Sequence, residues 1–142
     1  MKIGMNLLLW TGMVGEADFP TLTKLKAAGY DGVELPLFDG DAAHYTMVKK
    51  ELDRVGLACS TVTVMNPDTN PISPDAAIRA KAGERLKWAI DMNHILGSHA
   101  MCGPYHSPLG VFSGAGPTGD EKKWAAEVLR PAAELAEQAN LT

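Results

Sequence analysis

Two cysteines in 142 residues, Cys59 and Cys102, are too few for a disulfide scaffold. Both fall in stretches read below as strands, so buried, reduced thiols in a cytoplasmic protein are expected. Basic residues are also short: 13 Lys and Arg stand against 17 Asp and Glu, a net charge of -4 with no basic stripe. A nucleic acid has to be held largely through its phosphates, so that partner is disfavoured. No apolar run approaches the roughly 20 residues of a membrane span. Lys2 with Ile3 to Leu9 could pass for a weak leader, but Gly4 and Asn6 interrupt it and no small-x-small cleavage site follows. A Gly-x-Ser-x-Gly elbow is missing, as is the Lys-Ser or Lys-Thr of a phosphate loop. What remains, 46% apolar and 21% charged, is the composition of a soluble globular domain.

One junction repeats along the chain. A helical pattern runs into Gly29, Gly56 and Gly97, and each time a short apolar strand follows almost at once. Glycine, and next asparagine, suits the left-handed turn just past a helix end. Asn140 is therefore expected to stop a fourth helix, and Leu141 to open a strand of which only Leu141-Thr142 is present. Strands are expected at Lys2–Trp10, Val33–Leu37, Ala58–Val64 and His99–Cys102. Helices are expected from Asp18, over Asp41–Val55, from Ser73 as cap with Pro74 at the first helical position, and over Asp120–Ala139. Pro131 should kink or break the last. The helical stripes bury Leu22, Leu25 and Ala28 or Gly29, then Tyr45, Val48, Leu52 and Val55, then Ala82, Leu86, Ala89, Ile90 and Asn93.

Strict strand–helix alternation with short helix-to-strand links means parallel strands, in an α/β fold of four (β/α) units. Function in such folds sits at the C-terminal ends of the strands, where the links here are longer. A full (β/α)8 barrel takes about 250 residues, so residues 1–142 read as one domain, half of a barrel.

Glu34 is the most conspicuous residue, a carboxylate between Val33 and Leu35 in a strand. It is costly there unless paired or turned to a polar site. By parity it faces the barrel interior, and a buried structural salt bridge is the competing account. Asn6 and Trp10 point the same way if the first strand runs to Trp10. Cys59, Thr61 and Thr63 share one face of the third strand and are expected to line the interior with polar groups. Leu8, Trp10 and Thr61 would then meet solvent in an open half-barrel. His44 and His94 are expected on helix surfaces, His99 in the wall, and His106 beside a ligand or as a plain loop residue; the four make no metal-ligand spacing. Gly114-x-Gly116-x-x-Gly119 matches a dinucleotide fingerprint in letters, but it ends a long loop after the fourth strand and contains Pro117, so a flexible loop is expected.

Met1-Lys2-Ile3-Gly4-Met5-Asn6 with Trp10, Gly32-Val33-Glu34-Leu35, Ser73-Pro74-Asp75 with Arg79, and Cys102-Gly103-Pro104-Tyr105-His106-Ser107 together resemble the sugar phosphate isomerase/epimerase family. These are xylose-isomerase-like TIM barrels, and the likeness is nearest to the ketose 3-epimerases. The resemblance implies a divalent metal (Mn, Co or Mg) held by two glutamates, an aspartate and a histidine. Those glutamates exchange a proton beside the ketose carbonyl through an enediolate. All four ligands would come from strands five to eight, so no catalytic or metal residue is expected before Thr142, and no metal for this chain alone. The resemblance carries over Asn6, Trp10, Glu34, Gly103 and His106 as sugar contacts, with Asn6 standing where relatives have an aromatic residue. The expected function is that of the N-terminal half of a sugar isomerase or epimerase, inert by itself. The alternative is a non-catalytic half-barrel that acts by self-association through open sheet edges or by pairing with a complementary half. A repair endonuclease of the same superfamily would need a basic rim, which the acidic balance opposes.

Overall fold

The computed structural model describes residues 1–142. Four parallel strands, β1 (Gly4–Asn6), β2 (Gly32–Pro36), β3 (Ala58–Val62) and β4 (Met101–Cys102), lie side by side in chain order. They alternate with α1 (Phe19–Ala27), α2 (Ala42–Val55) and α3 (Ala76–Leu96), and α4 (Gly119–Gln138) follows β4. The four junctions behave alike: Gly29, Gly56, Gly97 and Asn140 all take positive φ (94°, 75°, 64° and 53°). Each turns the chain off a helix end in the left-handed conformation that glycine and asparagine tolerate. Past Asn140, Leu141 is buried, Met101 N donates to Thr142 O, and Thr142 N donates to His99 O. Leu141-Thr142 thus lies along β4 as a neighbouring parallel strand would.

One face of the sheet carries the core. The register places Met5 beside Val33, Leu35 beside Thr61, and Thr61 beside Met101, and this row faces the helices. Val33 and Leu35 pack with Leu22 and Leu25 of α1, Val48 and Leu52 of α2, and Met92 and Leu96 of α3. Burying one such side chain contributes about 1.5–3 kcal/mol. A smaller cluster of Met65, Leu86, Ile90, Ala132 and Leu141 closes the space under α4. The stripes expected on α2 and α3 are buried, with Val55 only half so; on α1 Leu22 and Leu25 are buried, whereas Ala28 and Gly29 at its end are exposed.

Several boundaries differ from expectation, each for a local reason. β1 ends at Asn6 instead of Trp10, because the Asn6 side chain accepts from Leu8 N and caps a 3-10 turn over Leu7–Leu9. α3 is capped by Asp75, whose carboxylate accepts from Ala77 N, while Ser73 caps only the turn before it. α4 runs on through Pro131, an exposed position.

The largest correction concerns β3. Cys59, Thr61 and Thr63 face the helices, not the interior, and Thr61 and Thr63 are fully buried. Thr61 shares its row with Leu35, so parity sends Ser60 and Val62 to the other face. The threonine hydroxyls are satisfied from α3: Thr61 donates to Asn93 Oδ1 at 2.8 Å, and Arg85 donates to Thr63 Oγ1 at 3.0 Å. Buried polar groups with such partners cost little. Of the residues expected to meet solvent, Leu8 and Trp10 do, on the turn after β1, and Thr61 does not.

Candidate functional site

The face of the sheet turned away from the helices holds a cavity of about 340 Å³, lined among others by Asn6, Glu34 and Ser60, with Gly4, Gly32 and Ala58 toward the strand starts. Close strand approach requires the small residue at Gly32, where a Cβ would stand 2.8 Å from Ala58 O. Glu34 emerges here because Val33 and Leu35 on either side are drawn into the core. It is half-buried, and no cation pairs with it, so the buried salt bridge is not its explanation. Asn6 Nδ2 donates to Glu34 Oε1 at 2.6 Å, and Cys102 Sγ donates to Glu34 Oε2 at 3.2 Å. Three strands thus contribute to one hydrogen-bonded group on the inner face.

Cys102 was expected to be buried; it is exposed, on the inner face beyond β3. Burial of the thiol group itself, then the hydrogen bond and charge of Glu34, push its titration up to about 11. Cys59 is half-buried on the helix side, where burial likewise pushes it up to about 11. Tyr105, on the loop after β4, has a buried hydroxyl with no partner; burial raises its pKa, and the nearby Cys102 and Glu34 add to the rise.

Of the expected contacts, the cavity joins Asn6 and Glu34. Trp10 sits just past β1, half exposed, and its side chain does not line the cavity. Gly103 follows β4 directly with φ 144°, and a Cβ there would stand 1.8 Å from Thr63 O. Glycine is required at that position for packing, whatever else it touches. His106 lies exposed on the same loop. His94 is exposed as expected, His44 is half-buried with an unpartnered Nε2, and His99 is exposed with Nδ1 3.4 Å from Asn140 O.

The glycine-rich run does not form a phosphate cradle. Gly119 opens α4, and Glu121 already occupies the helix start by accepting from Thr118 N at 2.7 Å and Thr118 Oγ1 at 2.9 Å. A carboxylate there repels a second anion.

Arg85, which sequence reasoning passed over, fixes the rim. It donates to Leu37 O at 2.9 Å and stacks 4.2 Å over Trp88, whose Nε1 donates to Gly40 O. Tyr45 donates to Asp39 O, so three helical side chains hold the β2–α2 loop. The signal was a cation one turn from the buried Ala82 and Ala89 on α3.

The residues present do not fit the metal set that the resemblance implies. No three His, Cys, Asp or Glu side chains converge. Glu34 and Cys102 meet, but as an acceptor and its donor. No step of the chemistry is therefore assigned to a metal in this chain. No helix is long and apolar enough to cross a membrane.

Residues 22–142 match the family description of xylose isomerase-like TIM barrels. A ketose 3-epimerase from Arthrobacter globiformis is 36% identical over 111 residues, covering 77% of this chain and 38% of the relative. An L-ribulose 3-epimerase from Methylomonas sp. (strain DH-1) is 29% identical over 115 residues, covering 80% of this chain and 40% of the relative. The crystal structure of a D-allulose 3-epimerase from Methylomonas sp. in complex with D-allulose superposes with a TM-score of 0.88 at 25% identity, over 100% of this chain and 49% of that one. The chain thus spans about two fifths of the length of the curated relatives it matches. With its four parallel (β/α) units, it belongs to the xylose isomerase-like TIM barrel family, among relatives that are ketose 3-epimerases.

Proposed function

We propose that residues 1–142 form the N-terminal half of a ketose 3-epimerase barrel and supply one wall of its sugar site. The observation that carries this reading is the Glu34 carboxylate, held by Asn6 and Cys102 over an inner-face cavity in a chain of this family. An ionised carboxylate accepts hydrogen bonds only, which suits the hydroxyl groups of a ketose. Trp10, Gly103 and His106 stand on the loops after β1 and β4, where function sits in such barrels. Proton exchange at the carbon beside the carbonyl, with a divalent metal as Lewis acid, falls to residues this chain does not contain. The chain by itself is therefore inert, and its wall residues bind sugar without turning it over. Incubation with manganese and a panel of ketohexoses should give no epimer; metal-dependent epimerisation by this chain would refute the reading.

A second reading, assembly through the sheet edges, is favoured by one feature. Leu8, Leu9, Trp10 and Met13 after β1, and Leu109, Val111 and Phe112 after β4, are exposed apolar side chains flanking the two outer strands. The open edge of β1 and apolar patches of this kind associate, while Leu141-Thr142 already covers the edge of β4. Light scattering should detect species larger than the monomer, and a clean monomer with one cooperative unfolding transition sinks this second reading.

A further inference from the structure

We infer that Cys102 is a positioning residue of the inner-face site, its thiol holding the Glu34 carboxylate so that its free lone pairs face the cavity for ligand hydroxyls. The inference rests on the sugar-site reading above. A glutamate side chain has three rotatable bonds and no fixed aim unless both oxygens are held. Here Asn6 on β1 takes Oε1 at 2.6 Å, and Cys102 on β4 takes Oε2 at 3.2 Å. The two donors come from opposite outer strands of the sheet and fix the carboxylate between them. A carboxylate accepts at about four lone-pair positions, so about two remain. They border a cavity of about 340 Å³ lined also by Ser60. A pair of free acceptors on one rigid group matches two neighbouring hydroxyls of a polyol.

Packing does not account for Cys102. Its neighbour Met101 joins the core, whereas Cys102 is exposed on the other face. Thr61 O lies 3.4 Å from the same sulfur and competes for the proton. The carboxylate is the nearer acceptor and the charged one, and charge-assisted hydrogen bonds are the stronger. Burial first, and then the hydrogen bond and charge of Glu34, raise the titration of the thiol, so it keeps its proton as a donor.

The test compares the 142-residue chain with C102S, C102V and E34Q. Calorimetric titration with D-fructose and with D-allulose reads binding, and iodoacetamide labelling across pH, resolved by peptide mass, reads the Cys102 thiol apart from Cys59. Serine keeps a donor, so C102S should bind sugar within about twofold of the parent, while C102V weakens binding roughly tenfold. E34Q should weaken binding as much and move Cys102 labelling to lower pH. Unweakened sugar binding by C102V, or an unchanged labelling profile in E34Q, overturns the positioning role and leaves the sugar reading standing. If the parent chain binds neither sugar, the sugar reading and this role fall together. Circular dichroism of C102V, with the serine variant as rescue, separates a lost donor from a lost fold.

Discussion

At Gly103 a single methyl group would stand 1.8 Å from a backbone oxygen, in a conformation with φ 144°. Neither problem is relieved by moving a flexible side chain, since the atom met is Thr63 O. Gly103→Ala should therefore destabilise by roughly 2–4 kcal/mol, read as a lower urea midpoint with unchanged slope. Wild-type stability in that variant would show that the loop after β4 can shift. Thr61 and Asn93 offer a second test at this scale. Thr61 donates to Asn93 Oδ1, and Asn93 Nδ2 donates to Ala89 O at 2.9 Å, all out of water. Thr61→Val leaves the amide oxygen without its donor and should cost about 1–3 kcal/mol, whereas Thr61→Ser should cost less. Glu34 and Asn6 were legible as inner-face residues because both lie inside short strands flanked by core residues. Trp10 was misplaced because Asn6 ends its strand early, which a parity count cannot foresee.

Helix ends were read well where the signal is one residue deep. Glycine or asparagine at all four junctions predicted a left-handed turn, and all four have one. The start of α3 was less legible, since Ser73, Pro74 and Asp75 each offer a plausible first turn. The Asp75 side chain makes the cap, accepting from Ala77 N at 2.8 Å. Asp75→Ala should cost about 1 kcal/mol in chemical denaturation, and Ser73→Ala less. Equal losses would return the cap to Ser73. β3 shows the limit of pattern at this scale. Its alternating residues, Cys59, Thr61 and Thr63 against Ser60, Val62 and Val64, are ambiguous in hydrophobicity, so neither face declares itself. Asn93 and Arg85 on α3 resolve the choice by bonding the threonines.

Across the whole molecule, alkaline pH acts through buried acids. Burial pushes Cys59 from its ordinary 9.0 up to about 11 and Tyr45 from 10.0 up to about 12. The folded chain keeps these protons at a pH where the unfolded chain releases them. Their contribution to stability is fully present below about pH 9 and is lost as pH rises through 11 to 12. Urea melts should weaken between about pH 9 and pH 11, and Cys59→Ala should flatten that dependence; a slope unchanged by the variant would refute the assignment to Cys59. Association belongs to this scale too. Leu9 and Phe112 are 71% and 90% exposed on the loops beside the outer strands. Changing both to Ser should lower the scattering mass of any assembly without shifting the melt.

The chain order of residues was enough to establish the repeated (β/α) unit, the parallel direction of the strands and the buried stripes of three helices. These are local matters: side-chain period, turn chemistry and the length of a link act within a few residues. Which face of β3 turns inward, where β1 stops, and that Cys102 meets a carboxylate 68 positions away emerged only from the folded chain. Such contacts depend on how strands from distant parts of the chain register against one another under a shared layer of helices, and no local pattern encodes that register.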